Sequence, residues 1–181
     1  MPRQNVRKLA LTGILLSLAV ALSWLEGLIP IPSPVPGIKL GLSNTVTMYA
    51  LFFLGGAPAF AVALLKSGFV MLTRGATAGM LSAVGGLLSV AAMLLAKRLG
   101  CSPGMTSVLG AIAHNIGQLA MSSLMLKSTL ALWYLPVLVL SGIAMGIVTG
   151  GVLKLLLPAL QKTGVPVMDD YTNKTNRSAQ K

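Results

Sequence analysis

Charge is what this chain has least of. Only 9% of its 181 residues are Asp, Glu, Lys or Arg, where a soluble domain carries roughly 25%. A water-facing surface cannot be covered by so few charges. Acidic residues are scarcer still, three against 14 Lys and Arg. Asp169 and Asp170 stand together near the C-terminus, which leaves Glu26 as the one acid elsewhere. No span therefore carries paired carboxylates, which argues against a proton relay or sodium site of the usual kind. Two adjacent aspartates in a polar tail cannot assemble the carboxylate-rich magnesium sites of a prenyl-diphosphate synthase. The single cysteine, Cys101, excludes an internal disulfide. Beside Lys97 and Arg98 it reads as an incidental thiol. A P-loop is missing, which argues against ATP hydrolysis by this chain. No serine has an evident base, and a lone histidine without nearby Cys, Asp or Glu is a poor metal site. The expectation is a chain that is not an enzyme and carries no cofactor or metal.

What is abundant is apolar sequence. Hydrophobic residues make up 55% of the chain and the mean hydropathy is +0.83, so lipid is the expected solvent. At 181 residues the chain supplies about six spans of ~20 residues with short loops. The apolar runs fall at Leu9–Leu28, Leu40–Leu54, Ala59–Thr73, Ala78–Ala96, Met105–Leu126 and Leu132–Leu157. The first follows Arg3, Arg7 and Lys8 like a signal peptide, but no clear small-residue cleavage site ends it. It reads as a retained span. Between the first two runs, Pro30, Pro32, Pro34 and Pro36 alternate with other residues. Each proline removes a donor and fixes φ, so this outer loop is stiff and extended. Gly55-Gly56-Ala57-Pro58, Arg74-Gly75 and Ser102-Pro103-Gly104 turn the chain, with Pro58 placed to open a helix. The sequence thus predicts an all-α integral membrane protein. About six transmembrane helices form one bundle over residues 1–160, and residues 161–181 form a polar, disordered cytoplasmic tail.

The net charge of +11 does not point to nucleic acid. The basic residues are scattered at the ends of apolar runs, the pattern of topology control and anionic-lipid contact. With six spans, one side collects Arg3, Arg7, Lys8, Lys97, Arg98, Lys154, Lys162 and the basic tail. The other holds Lys39, Arg74 and Lys127, offset by Glu26. The positive-inside rule then places both termini in the cytoplasm, with the chain multi-pass in the plasma membrane.

Lys66 interrupts the third span. An unpaired charge at that depth costs at least ~2.5 kcal/mol on insertion scales. Lys66 either snorkels to the surface or faces a polar cavity. Lys39 and Arg74 sit at the outer ends of spans two and three. Singly they read as interfacial anchors; with Lys66 they would line one outward-facing cationic cavity and select an anionic ligand. His114, Asn115 and Gln118 lie within about one turn, with i,i+3 and i,i+4 spacing. They, and Asn44 beside Ser43 and Thr45, serve either as interhelical hydrogen bonds or as ligand contacts. Two stripes of small residues at spacing four, Gly13, Ser17, Ala21 and Gly142, Gly146, Gly150, fit close helix approach. Each stripe either packs inside the bundle or docks a partner.

Three stretches carry a resemblance. Pro36-Gly37-Ile38-Lys39-Leu40-Gly41-Leu42-Ser43-Asn44, Gly85-Gly86-Leu87-Leu88-Ser89 and Gly110-Ala111-Ile112-Ala113-His114-Asn115-Ile116-Gly117-Gln118 look like signatures of the Gx transporter family. That family is often labelled heptaprenyl diphosphate synthase component I, and the likeness runs from about Arg7 to Leu160. It resembles the substrate-binding S components of energy-coupling factor (ECF) transporters, which implies six spans and cytoplasmic termini. It also implies that the proline-rich loop is a lid, and that Gly13, Ser17 and Ala21 dock a coupling subunit driven by ATPases. Alanines are preferred in that docking motif, and here Gly and Ser hold two of its three positions. The expected function is uptake of a small, anionic or cofactor-like solute. The rivals are a membrane accessory subunit of isoprenoid or quinone synthesis, and a structural subunit of a membrane redox complex.

Overall fold

The computed structural model describes residues 2–28, 42–127, 133 and 135–161. Lys39, the proline-rich loop and the C-terminal tail lie outside them. Among the described residues the regular structure is six α-helices and no strand: α1 Pro2–Leu28, α2 Leu42–Phe53, α3 Gly56–Arg74, α4 Ala76–Arg98, α5 Pro103–Leu126 and α6 Leu135–Gln161.

The turns follow from local chemistry. Gly75 ends α3 and opens α4 with φ near 90°, a left-handed conformation that costs glycine little. Ser102 caps α5, its Oγ accepting from the Met105 amide at 3.3 Å, with Pro103 in the first turn. Helix α5 therefore starts two residues before the apolar run does. Helix α1 likewise begins at Pro2, well before Leu9. Apolar patterning marks the lipid-facing stretch, and nothing in the basic segment breaks the helix.

Among the described residues, four helices are long and apolar enough to cross a membrane alone: Asn5–Leu28, Gly56–Arg74, Ala76–Arg98 and Leu135–Val152. Helix α5 has the length, with 24 residues, but His114, Asn115 and Gln118 lower its hydropathy. Helix α2 has 12 residues, about 18 Å against a hydrocarbon core of ~30 Å. It need not face lipid, because α1, α3, α4 and α6 all pack against it. Val46, Met48, Ala50, Leu51, Phe52 and Phe53 on α2 are all buried. They meet Leu15 and Ala19 of α1, Val62 of α3 and Met93 of α4 in the apolar core. Helices α3 to α6 pack in chain order, each against the next.

The surface is apolar and the interior is partly polar. Leu9, Leu72, Leu95, Leu124 and Leu140 are exposed, while Glu26, Lys66, Ser82, Ser89, Thr106 and Ser107 are buried. Only an apolar solvent stabilises such a distribution, so the chain is an all-α membrane protein.

Candidate functional site

Between the helices lies a cavity of about 30 Å³, room for on the order of two water molecules. All six helices contribute to its wall. One end is built by α1 and α2. The last turn of α1 brings Glu26 beside Ser43 and Asn44 in the first turn of α2. Helix α3 then runs back antiparallel. Lys66, about 15 Å along α3, reaches the level of Ser43, which is about 15 Å from the end of α2.

The three groups connect. Lys66 Nζ donates to Ser43 Oγ at 3.2 Å and to Asn44 Oδ1 at 3.4 Å. Ser43 Oγ in turn donates to Glu26 Oε2 at 3.4 Å. Lys66 is 3% exposed and Glu26 4%. Of the two alternatives for Lys66, the cavity is the one realised.

His114, Asn115 and Gln118 on α5 all line the cavity. Asn115 also ties α5 to α6, donating to the Leu138 carbonyl at 2.8 Å and to Ser141 Oγ at 3.3 Å. For this residue the interhelical hydrogen bond is realised, at a position that also lines the cavity. Ser82 and Ser89 line the cavity from α4, and Ser82 is held by Ser67 Oγ at 3.1 Å. Toward the other end, Ser107 and Thr149 lie 2.5 Å apart in a hydrogen bond between α5 and α6.

Two sequence expectations change here. Arg74 is not part of the cavity wall. Its guanidinium donates to the backbone carbonyls of Ser23 and Trp24 on α1, because carbonyls near a helix C-terminus attract a cation. The cavity is also not purely cationic, since Glu26 enters it. The signal for Glu26 was its place as the one acid outside the tail, in a chain with a mid-span lysine to compensate. Ser43 was visible only as polarity near Asn44. Ser89 was marked only as the end of the Gly85–Ser89 signature stretch, and Ser82, Ser107 and Thr149 carry no signal of their own, because a serine or threonine in an apolar helix more often bonds its own backbone.

Arg74 predicts a measurable coupling. A Cβ added at Gly27 would lie 1.9 Å from Arg74 Nη2, so Gly27→Ala must push the guanidinium off α1. Arg74→Gln should destabilise by about 1–2 kcal/mol and leave solute retention unchanged. Unfolding midpoints of both single variants and the double variant should show non-additive losses. Additive losses would mean that Gly27 and Arg74 act independently.

The two small-residue stripes separate. Gly142, Gly146 and Gly150 face α5: an added Cβ would come within 3.2 Å of Ile112 Cα, 2.5 Å of Val108 Cα and 3.1 Å of Gly104 Cα, respectively. Gly13, Ser17 and Ala21 are exposed, and nothing described lies within 4 Å of a Cβ at Gly13. The stripe on α6 is internal packing; the stripe on α1 faces away from the bundle.

No curated protein and no solved structure matches the chain. Residues 15–156 match the family described as heptaprenyl diphosphate synthase component I. That match takes in every residue lining the cavity, and over this span the chain belongs to the heptaprenyl diphosphate synthase component I family.

Proposed function

We propose that this chain is the substrate-binding, S-component-like subunit of an energy-coupled uptake transporter for a small polar solute. It sits in the plasma membrane with both termini cytoplasmic, as the basic residues are distributed. It binds the solute from outside and releases it inward when a coupling subunit and its ATPases act. The observation that carries the reading is the buried polar cavity, lined by Lys66, Glu26, Asn44, His114, Asn115 and Gln118 among others. Polar and ionisable side chains inside a membrane are costly, and they mark substrate pathways where they converge. Binding and release need no group on this chain that performs covalent chemistry. The exposed α1 stripe supports the reading from the other side, since a helix face of small residues suits close approach by another helix.

The family description favours a second reading, in which the chain is a membrane accessory subunit that works with a prenyl synthase component. The two separate in native mass spectrometry of the detergent-purified protein, expressed with its natural neighbours. A retained small molecule, or a complex with a coupling subunit and ATPases, is the expected result. An empty chain bound to a soluble prenyl synthase would overturn the transport reading.

Gly13→Leu tests the docking face. Because the site is open, its stability should change by less than about 0.5 kcal/mol. Co-purification of the coupling subunit with this variant should fall at least about 10-fold. Unchanged recovery would remove α1 from the docking surface.

A further inference from the structure

Several hydroxyls in this bundle turn back to their own helix. Ser67 donates to the Ala63 carbonyl at 2.8 Å, Thr47 to the Ser43 carbonyl at 3.4 Å and Thr149 to the Met145 carbonyl at 2.9 Å. That is the usual resort of a hydroxyl in an apolar helix. Ser89 departs from it. It lines the cavity from α4 and is 2% exposed, yet its side chain makes no hydrogen bond to another described residue. Across the cavity on α5, the Gln118 amide likewise makes none. Ser82, one further turn and a half along α4 from Ser89, accepts from Ser67 at 3.1 Å, and its own proton is left to point elsewhere.

Glycines bring these groups to one space. Gly85 lies between Ser82 and Ser89 on α4, where a Cβ would come 2.8 Å from Gln118 Cγ. Gly110 on α5 lies opposite Ser89, where a Cβ would come 3.3 Å from Ser89 Oγ. The polar groups of α4 and α5 therefore face each other across a narrow gap.

Size and polarity select what fills that gap. Cavities that stay dry are apolar, whereas a buried hydroxyl or amide is completed by a protein partner or by water. One water needs roughly 10–15 Å³ of such space and two to four polar partners. The cavity of about 30 Å³ thus has room for about two.

We infer that the cavity is a hydration site, in which about two ordered water molecules bridge α4 to α5 through Ser89, Gln118 and the Ser82 hydroxyl. Ser89 lies level with Gly110, one turn from Ser107. The waters therefore stand between the Lys66–Ser43–Glu26 network at one end and the Ser107–Thr149 pair at the other. This hydration is independent of whether the chain serves uptake or works as an accessory subunit. On the uptake reading, a solute that displaces the waters must return their hydrogen bonds to Ser89 and Gln118.

Hydroxyl-radical footprinting by X-ray radiolysis tests the site, because radicals form wherever water lies, inside a protein included. Met48 and Met93 line the cavity and are 1% and 2% exposed, whereas Phe53 is 3% exposed and outside the cavity wall. The sample is the full-length, detergent-purified chain, shown by native mass spectrometry to hold no solute. After correction for intrinsic reactivity, both methionines should be modified several-fold faster than Phe53. Ser89→Leu removes the hydroxyl and fills its space, and it should bring both methionines down to the Phe53 rate. If that variant does not fold, the comparison within the native chain decides. Methionine rates no higher than that of Phe53 in the native chain would overturn the hydration site. Undiminished methionine rates in a folded Ser89→Leu chain would overturn Ser89 as the group that holds the waters.

Discussion

Replacing Glu26 by Gln is expected to destabilise the protein by about 3–5 kcal/mol, and Lys66→Met by a similar amount. Replacing both together should cost less than either change alone. The reason lies in the dielectric of the site. Lys66 and Glu26 are both buried, and Ser43 links them from α2. Removing one charge leaves the other buried without compensation, and its full desolvation cost appears. Removing both replaces a charged pair with uncharged side chains of similar size, a change that is often close to neutral. Midpoints of chemical or thermal unfolding in detergent for the four proteins measure the coupling directly. Additive losses would show that the two ions do not sense each other.

The second large effect is expected at Gly146. A Cβ there would lie 2.5 Å from Val108 Cα and 3.0 Å from Val108 N. Both are backbone atoms, so no rotamer change relieves the clash and α5 and α6 must separate. Gly146→Ala should cost about 1–3 kcal/mol, and Gly146→Leu more. Separation would stretch the Ser107–Thr149 contact of 2.5 Å and the Asn115 bond to the Leu138 carbonyl at 2.8 Å. Both tie cavity-lining residues across this interface, so solute retention should fall along with stability. Gly13→Leu is the matched control, because the same side chain enters open space on α1. Equal losses for the two leucine variants would mean that the α5–α6 contact is not as close as the geometry requires.

Sequence patterning reached far in this protein because hydropathy and turn chemistry are local. The turn at Gly75 was legible from Arg74-Gly75, and the opening of α3 from Gly55-Gly56-Ala57-Pro58. Helix α2 was legible as an element but not as a core helix. Its apolar run is as apolar as a lipid-facing one, and only the four helices around it show that it is enclosed. The resemblance signatures also reached the cavity: Asn44, His114, Asn115 and Gln118 all line it.

By itself the sequence determined an all-helical membrane chain whose third span carries a lysine that must either snorkel to the surface or face a polar cavity. Both follow from the cost of placing charge in hydrocarbon, which depends on each segment alone. Which helix face meets which neighbour depends on pairs of segments far apart in the chain, and only the tertiary structure decided it. Spacing by four is the same in Gly13, Ser17, Ala21 and in Gly142, Gly146, Gly150, yet one stripe is bare and the other packs on α5. Lys66 and Arg74 are both basic residues of α3. The fold turns Lys66 into the cavity beside Glu26, and it holds Arg74 outside on the carbonyls of α1. Net charge counts cations wherever they lie, whereas a ligand meets only those that share its cavity.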